Sequence, residues 1–189
     1  MKWGNAQRLY EFCQENDIKR VLDLGTGIGV SASVVALALK EARIDSIEQF
    51  DKCIKLADEL IPTDLKDRIT IHKANAIVWD TPLIPYQHFG IYDKLPEGDY
   101  DLIIHDGPSP ILEDSKYIDL PNGTIIKLLL EDKIKAGTSI AWDGRITALQ
   151  TLERYFSNNF FLIKPASNQN SLNILQRKDN PVSLLDERL

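Results

Sequence analysis

The stretch "VLDLGTGIGVSA", residues 21–32, puts an acid, Asp23, two places ahead of Gly25 and repeats glycine at Gly27 and Gly29, with Thr26 between the first two. Glycine there permits a tight turn and lets a ligand lie against the backbone with no Cβ in the way. A helix starting near Gly29 turns its free N–H groups toward the same spot. Acids also close three other apolar runs: Glu48 ends "IDSIE", Asp106 ends "YDLIIHD" and Asp143 ends "TSIAWD". A carboxylate where Glu48 stands accepts hydrogen bonds from ribose hydroxyls. Gln49 follows directly, and Phe50 supplies a ring to pack on an adenine. The dinucleotide fingerprint runs G-x-G-x-x-G. Here the spacing is G-x-G-x-G, with Val30 in the last glycine's place. That pattern fits an adenosine ligand without a pyrophosphate.

Such residues need a scaffold that gathers strand ends, and the rest of the chain supplies one. Ala6, Leu9, Tyr10 and Cys13 fall at helical spacing within an N-terminal helix over residues 1–18. "RVLDL", "IDSIEQ", "RITIHKA", "YDLIIHD" and "TSIAWD" read as strands. Between and after them come helical stretches: Ser31 to Lys40, the stripe Cys53, Leu56, Ala57, Leu60 and Ile61, Thr124 to Lys135, and Ile146, Leu149, Leu152 and Phe156. Alternation of this kind predicts right-handed βαβ units and a parallel sheet. "FFLIKP" and "LNILQR" are joined only by "ASNQNS", too short for a crossover helix, and predict an antiparallel hairpin. The expected fold is α/β: a Rossmann-like seven-stranded, mostly parallel sheet with one antiparallel strand, helices on both faces, in a single domain over 1–189. Residues 77–98 and 107–123 break the rhythm and read as long substrate-side loops.

Composition narrows the function. The chain has 189 residues, 43% hydrophobic and 26% charged, with a net charge of −6. The acidic balance opposes a grip on nucleic acid phosphates. Cys13 and Cys53 each lie on an apolar helical stripe, as buried thiols in a reducing compartment. The N-terminal stretch lacks a signal-peptide core, and the longest apolar run, Val34 to Leu39, is far too short to span a bilayer. The expectation is a cytoplasmic protein without a membrane or nucleic acid partner; its oligomeric state is open.

Five motifs in order resemble those of the class I S-adenosylmethionine-dependent methyltransferases, small O-methyltransferase-like members in particular. "VLDLGTGIGVSA" is similar to their first motif, and "SIEQFDKCIKLADEL" to the acidic second-strand end with its helix. "HKANA" falls at the adenine turn, "YDLIIHDGPSP" at the fourth strand and "IKAGTSIAWDG" at the fifth. The resemblance covers about residues 20 to 175. It implies S-adenosylmethionine as cofactor and S-adenosylhomocysteine as product. Asp23, Gly25, Gly27 and Gly29 then line the methionine and ribose portions, and Glu48 holds the ribose. Asn75 replaces the usual acid beside the adenine amino group, and Ala76 offers a backbone N–H to the ring.

Methyl transfer from a sulfonium is a direct displacement, so alignment and water exclusion matter more than a triad. Asp106 is the leading catalytic or substrate-orienting candidate, with Asp143 beside it. Catechol-type relatives bind Mg²⁺ through two such acids and a third ligand, but the residue after Asp143 is Gly144, so a divalent metal is an option the ligand set argues against. His88 is a candidate base, whereas His105 faces away from the mouth if Asp106 faces into it. Trp79, Tyr86, Phe89 and Tyr92 form either an aromatic lid or an anchor for their loop. The fourth strand reads "DGPS" rather than the Asp/Asn-Pro-Pro-aromatic motif of base methylation. Oxygen on a small molecule or sugar is the preferred acceptor. A non-catalytic S-adenosyl-binding module and a nicotinamide-dependent oxidoreductase are the alternatives.

Overall fold

A computed structural model describes residues 3–84, 88–108, 111–113, 116–118, 120–143, 146–165 and 172–182. Five helices are α1 (Trp3–Glu15), α2 (Val30–Ala38), α3 (Asp51–Leu60), α4 (Thr124–Leu130) and α5 (Ile146–Phe156). The strands are β1 (Arg20–Leu24), β2 (Arg43–Glu48), β3 (Ile69–Lys73), β4 (Ala76–Asp80), β5 (His88–Tyr92), β6 (Leu102–His105), β7 (Ile111–Glu113), β8 (Lys116–Ile118), β9 (Ser139–Asp143), β10 (Phe160–Lys164) and β11 (Leu172–Arg177). Seven of them form one sheet in the order β10-β11-β9-β6-β1-β2-β3. β1, β2, β3, β6 and β9 run parallel, and β11 alone pairs antiparallel with both neighbours. The expected sheet is therefore the observed one.

Side-chain alternation along the central strands builds two cores. Val21, Ile44, Leu102 and Ile104 face Leu9, Phe12, Val35 and Ala57 of α1, α2 and α3. Leu22, Leu24, Ile47, Ile103 and Trp142 face Ile125, Leu129, Leu152 and Phe156 of α4 and α5. Burial on both faces explains why β1, β6 and β9 are near-continuous apolar runs.

Two expected loops are corrected. Residues 77–98 hold most of an antiparallel β4–β5 hairpin, and 107–123 hold a second hairpin, β7–β8. Ile77, Val78 and Trp79 pair with Ile91, Gly90 and Phe89, while Pro82 falls outside the strands. Phe89 is fully buried and Tyr92 nearly so, and Trp79 tilts against Phe89 with centroids 5.7 Å apart. The aromatics Phe89 and Tyr92 anchor this segment in the core rather than forming a lid; Tyr86 lies outside the described residues. One consequence is that no helix occurs in the described part of the crossover from β3 to β6. α4 also stops at Leu130, short of the expected Lys135, because Asp132 turns into left-handed backbone at φ 54°.

Candidate cofactor and active site

Strand register brings the acids into one row. Leu24 of β1 pairs with Ile47 of β2 on one side and His105 of β6 on the other, and His105 pairs with Trp142 of β9. The next residue on each strand or strand end is Gly25, Glu48, Asp106 and Asp143, so all four stand at the carboxyl edge. Ligands of open α/β sheets bind at this edge.

The glycines there do three different jobs. All have positive φ: 109° at Gly25, 53° at Gly27 and 86° at Gly29. A Cβ on Gly25 would come within 2.9 Å of the Asp106 carbonyl carbon and the Gly107 nitrogen, so Gly25 lets two strand ends touch. A Cβ on Gly29 would lie 2.6 Å from Ile61, so Gly29 seats the start of α2 against the end of α3. A Cβ on Gly27 would meet nothing within 4 Å. Gly27 is thus the position where open space reaches the loop backbone.

Glu48 organises that loop. Its Oε2 accepts from the Gly27 N–H at 2.8 Å, and its Oε1 from the Gln49 and Phe50 N–H groups at 2.8 and 3.0 Å. Phe50 and Ile28 leave apolar surface exposed nearby in the sequence. Asp23, expected to line the ligand, is wholly buried instead of facing the opening. It accepts from the Ser31 hydroxyl at 2.9 Å and the Ser46 hydroxyl at 2.7 Å. With its one proton given to Asp23, Ser46 accepts from Thr26 at 2.7 Å. Asp23 therefore acts on the loop through Ser31, Ser46 and Thr26. Burial pushes its carboxyl up to about 7, against the two serine bonds and with help from Asp106 and Glu48. Ser31 and Ser46 were not singled out in the sequence, since a serine inside a strand or first helical turn carries no signal without its partner.

The turn at Asn75 contains one residue the sequence did not suggest. Asn75 donates from its backbone N–H to Asp93 Oδ1 at 2.8 Å and from Nδ2 to Oδ2 at 2.9 Å. Burial raises the Asp93 carboxyl, but the Asn75 bonds and nearby Lys94 outweigh it and hold it below the usual range. The Asn75 amide is oriented by this contact, with its oxygen turned from Asp93. Ala76, the first residue of β4, pairs with Tyr92.

Asp143 meets a hydrogen-bond donor. Asn5 Nδ2 donates to its Oδ1 at 2.5 Å, while Asn5 Oδ1 accepts from the Leu172 N–H at 3.0 Å, which fixes the amide's orientation. Among the described residues, no three His, Cys, Asp or Glu side chains converge as metal ligands. An amide hydrogen toward Asp143 and a glycine after it make a poor ligand set for a divalent ion. His88 stands outside the row of acids, on β5, where its Nδ1 lies 2.5 Å from Asp80. His105 is fully buried and stacked on Trp142 at 3.9 Å, on the core side as alternation predicts.

Solved structures share this fold. A SAM-dependent O-methyltransferase from Thermotoga maritima aligns with a TM-score of 0.62 at 15% identity, over 95% of this chain and 67% of its own. An O-methyltransferase from Bacillus cereus in complex with SAH aligns at 0.60 and 14%, over 95% and 82%. The O-methyltransferase TomG from Streptomyces achromogenes, involved in tomaymycin synthesis and solved with SAM, aligns at 0.59 and 14%, over 94% and 81%. No family model and no curated protein matches the sequence.

Proposed function

We propose that this chain is an S-adenosylmethionine-dependent methyltransferase, acting as one domain and transferring methyl to an oxygen of a small molecule or sugar without a divalent metal. The observation that carries the reading is the row Gly25–Gly29, Glu48 and Asp106 on adjacent strand ends, with open space at Gly27. The three O-methyltransferase structures that share the fold support it, two of them carrying SAM or SAH.

In this reading Glu48, already polarised by three N–H groups, accepts from the ribose hydroxyls. The Asn75 oxygen accepts from the adenine amino group, the Ala76 N–H meets the ring, and Phe50 packs on its face beside Gln49. Asp23 holds Thr26 and the glycine loop in place. The cofactor supplies an activated methyl on sulfur. With it bound, Asp106 would orient the acceptor hydroxyl toward that methyl and take its proton. Asp143 steadies the mouth through Asn5, and His88 with Asp80 stands at the hairpin as a reserve base for a long acceptor.

No helix among the described residues is long and apolar enough to cross a membrane. Burial pushes the Cys13 thiol up to about 12, which keeps it unreactive. A cytoplasmic setting with no nucleic acid partner suits this buried thiol and the net charge of −6. Calorimetric titration with S-adenosylmethionine, S-adenosylhomocysteine and NADH tests the proposal. Binding of both S-adenosyl compounds with NADH silent is expected, followed by methylated product in a hydroxyl-acceptor screen. Folded protein that binds neither compound overturns the reading, and binding without any product leaves a cofactor-binding module.

A further inference from the structure

The crossover from β3 to β6, whose described residues form a hairpin rather than a helix, leaves room on the sheet face it spans. A cavity of about 450 Å³ lies between residues 93–100 and α4. Leu22 and Ile103 of adjacent strands line its base, and Leu128 and Tyr100 its sides. This volume lies within the range of small-molecule sites, which join apolar walls to a few polar groups.

The rim carries charges of both signs, most already committed. Asp93 is held by Asn75. Lys127 and Lys133 both reach Glu131 at 2.8 Å, and Lys135 reaches Asp99 at 2.5 Å. Lys94, Glu97 and Asp132 make no ion pair among the described residues. Lys94 and Glu97 share one lip, three residues apart in sequence, and do not pair with each other. A cation and an anion that make no ion pair, beside an apolar hollow, match a ligand with both charges at one end and an apolar body at the other.

We propose that this cavity is a second ligand site, taking a small zwitterion with an apolar body, an α-amino acid with an aromatic or branched side chain. The ligand carboxylate meets Lys94, its ammonium meets Glu97, and its side chain enters between Leu128 and Tyr100. None of residues 25–29 lines it.

Calorimetry of the full chain with L-phenylalanine tests this, with hydrocinnamate (no ammonium) and phenethylamine (no carboxylate) as comparisons. One-to-one binding of phenylalanine is expected, with both comparisons and both variants, Lys94→Glu and Glu97→Lys, at least tenfold weaker. Both positions are exposed, so the variants keep the fold. Saturating S-adenosylhomocysteine should leave the phenylalanine affinity unchanged. Absence of phenylalanine binding, equal binding by the two variants, or displacement by S-adenosylhomocysteine overturns the proposal. The phenylalanine titration without S-adenosylhomocysteine needs no bound cofactor, so it reads this site whether or not the methyltransferase reading holds.

Discussion

Alanine at Gly29 must accept φ 86° and put its methyl 2.6 Å from Ile61. Strain and overpacking together cost about 2–4 kcal/mol. Thermal denaturation of Gly29→Ala should show that loss. Gly27→Ala faces open space and carries only the left-handed penalty, about 1–2 kcal/mol. Its methyl enters the space assigned to the cofactor, so S-adenosylhomocysteine affinity should fall far more than stability does. At Asp23 the sign of the pH effect follows from a carboxyl raised to about 7 in the fold. Between the unfolded value near 4 and that figure, the folded chain holds a proton the unfolded chain has lost. Stability from this group is therefore greatest at low pH, falls as pH rises through that window and is level above it. Denaturant titrations of Asp23→Asn across pH 4–8 should lack this component, so the wild-type-minus-variant difference shrinks as pH rises. A difference that stays flat would mean the carboxyl is not raised. At this scale the sequence was legible for Glu48 and the glycines, whose spacing sets a turn. It did not record the surroundings of Asp23, because a motif acid looks alike whether it faces a ligand or two buried serines.

Among elements, the β4–β5 hairpin was the least legible. Its apolar residues do not alternate with polar ones, since Ile77 and Val78 are exposed in succession. Its stability comes instead from tertiary contacts: Phe89 is buried against Gly123, where a Cβ would lie 2.5 Å from it, and Gly90 donates to the Pro121 carbonyl and accepts from the Gly123 N–H. Single-chain periodicity does not record such partners. Phe89→Ala should cost about 3–5 kcal/mol by leaving a cavity under the hairpin. Hydrogen exchange should show protection lost first over 76–92, while β1 and β6 keep theirs. The central strands, by contrast, were readable throughout, because burial on both faces writes an apolar run into the sequence itself.

For the molecule as a whole, the reversed strand β11 was legible from the short "ASNQNS" link, but what it holds was not. Asn5 joins α1 to both β11 and Asp143, and Lys164 reaches Glu15 at 2.5 Å. Asn5→Ala leaves the Leu172 N–H and Asp143 without that amide, at a cost of about 1–3 kcal/mol. Denaturant unfolding should report that loss, with proteolysis of the variant beginning at α1. No part of the sequence pattern links residue 5 to residue 172, since neither element's periodicity depends on the other.

The same tie bears on how the chain emerges from the ribosome. Helix α1 finds three of its polar partners, Leu172, Pro165 and Lys164, among residues synthesised long after it. With 167 positions between Asn5 and Leu172, synthesis at about 5–20 residues per second leaves that helix without them for roughly 8–33 s. During that interval Leu9, Phe12 and Cys13 have only the nascent sheet to cover them. Docking of α1 on the sheet through these bonds therefore waits on the synthesis of β11.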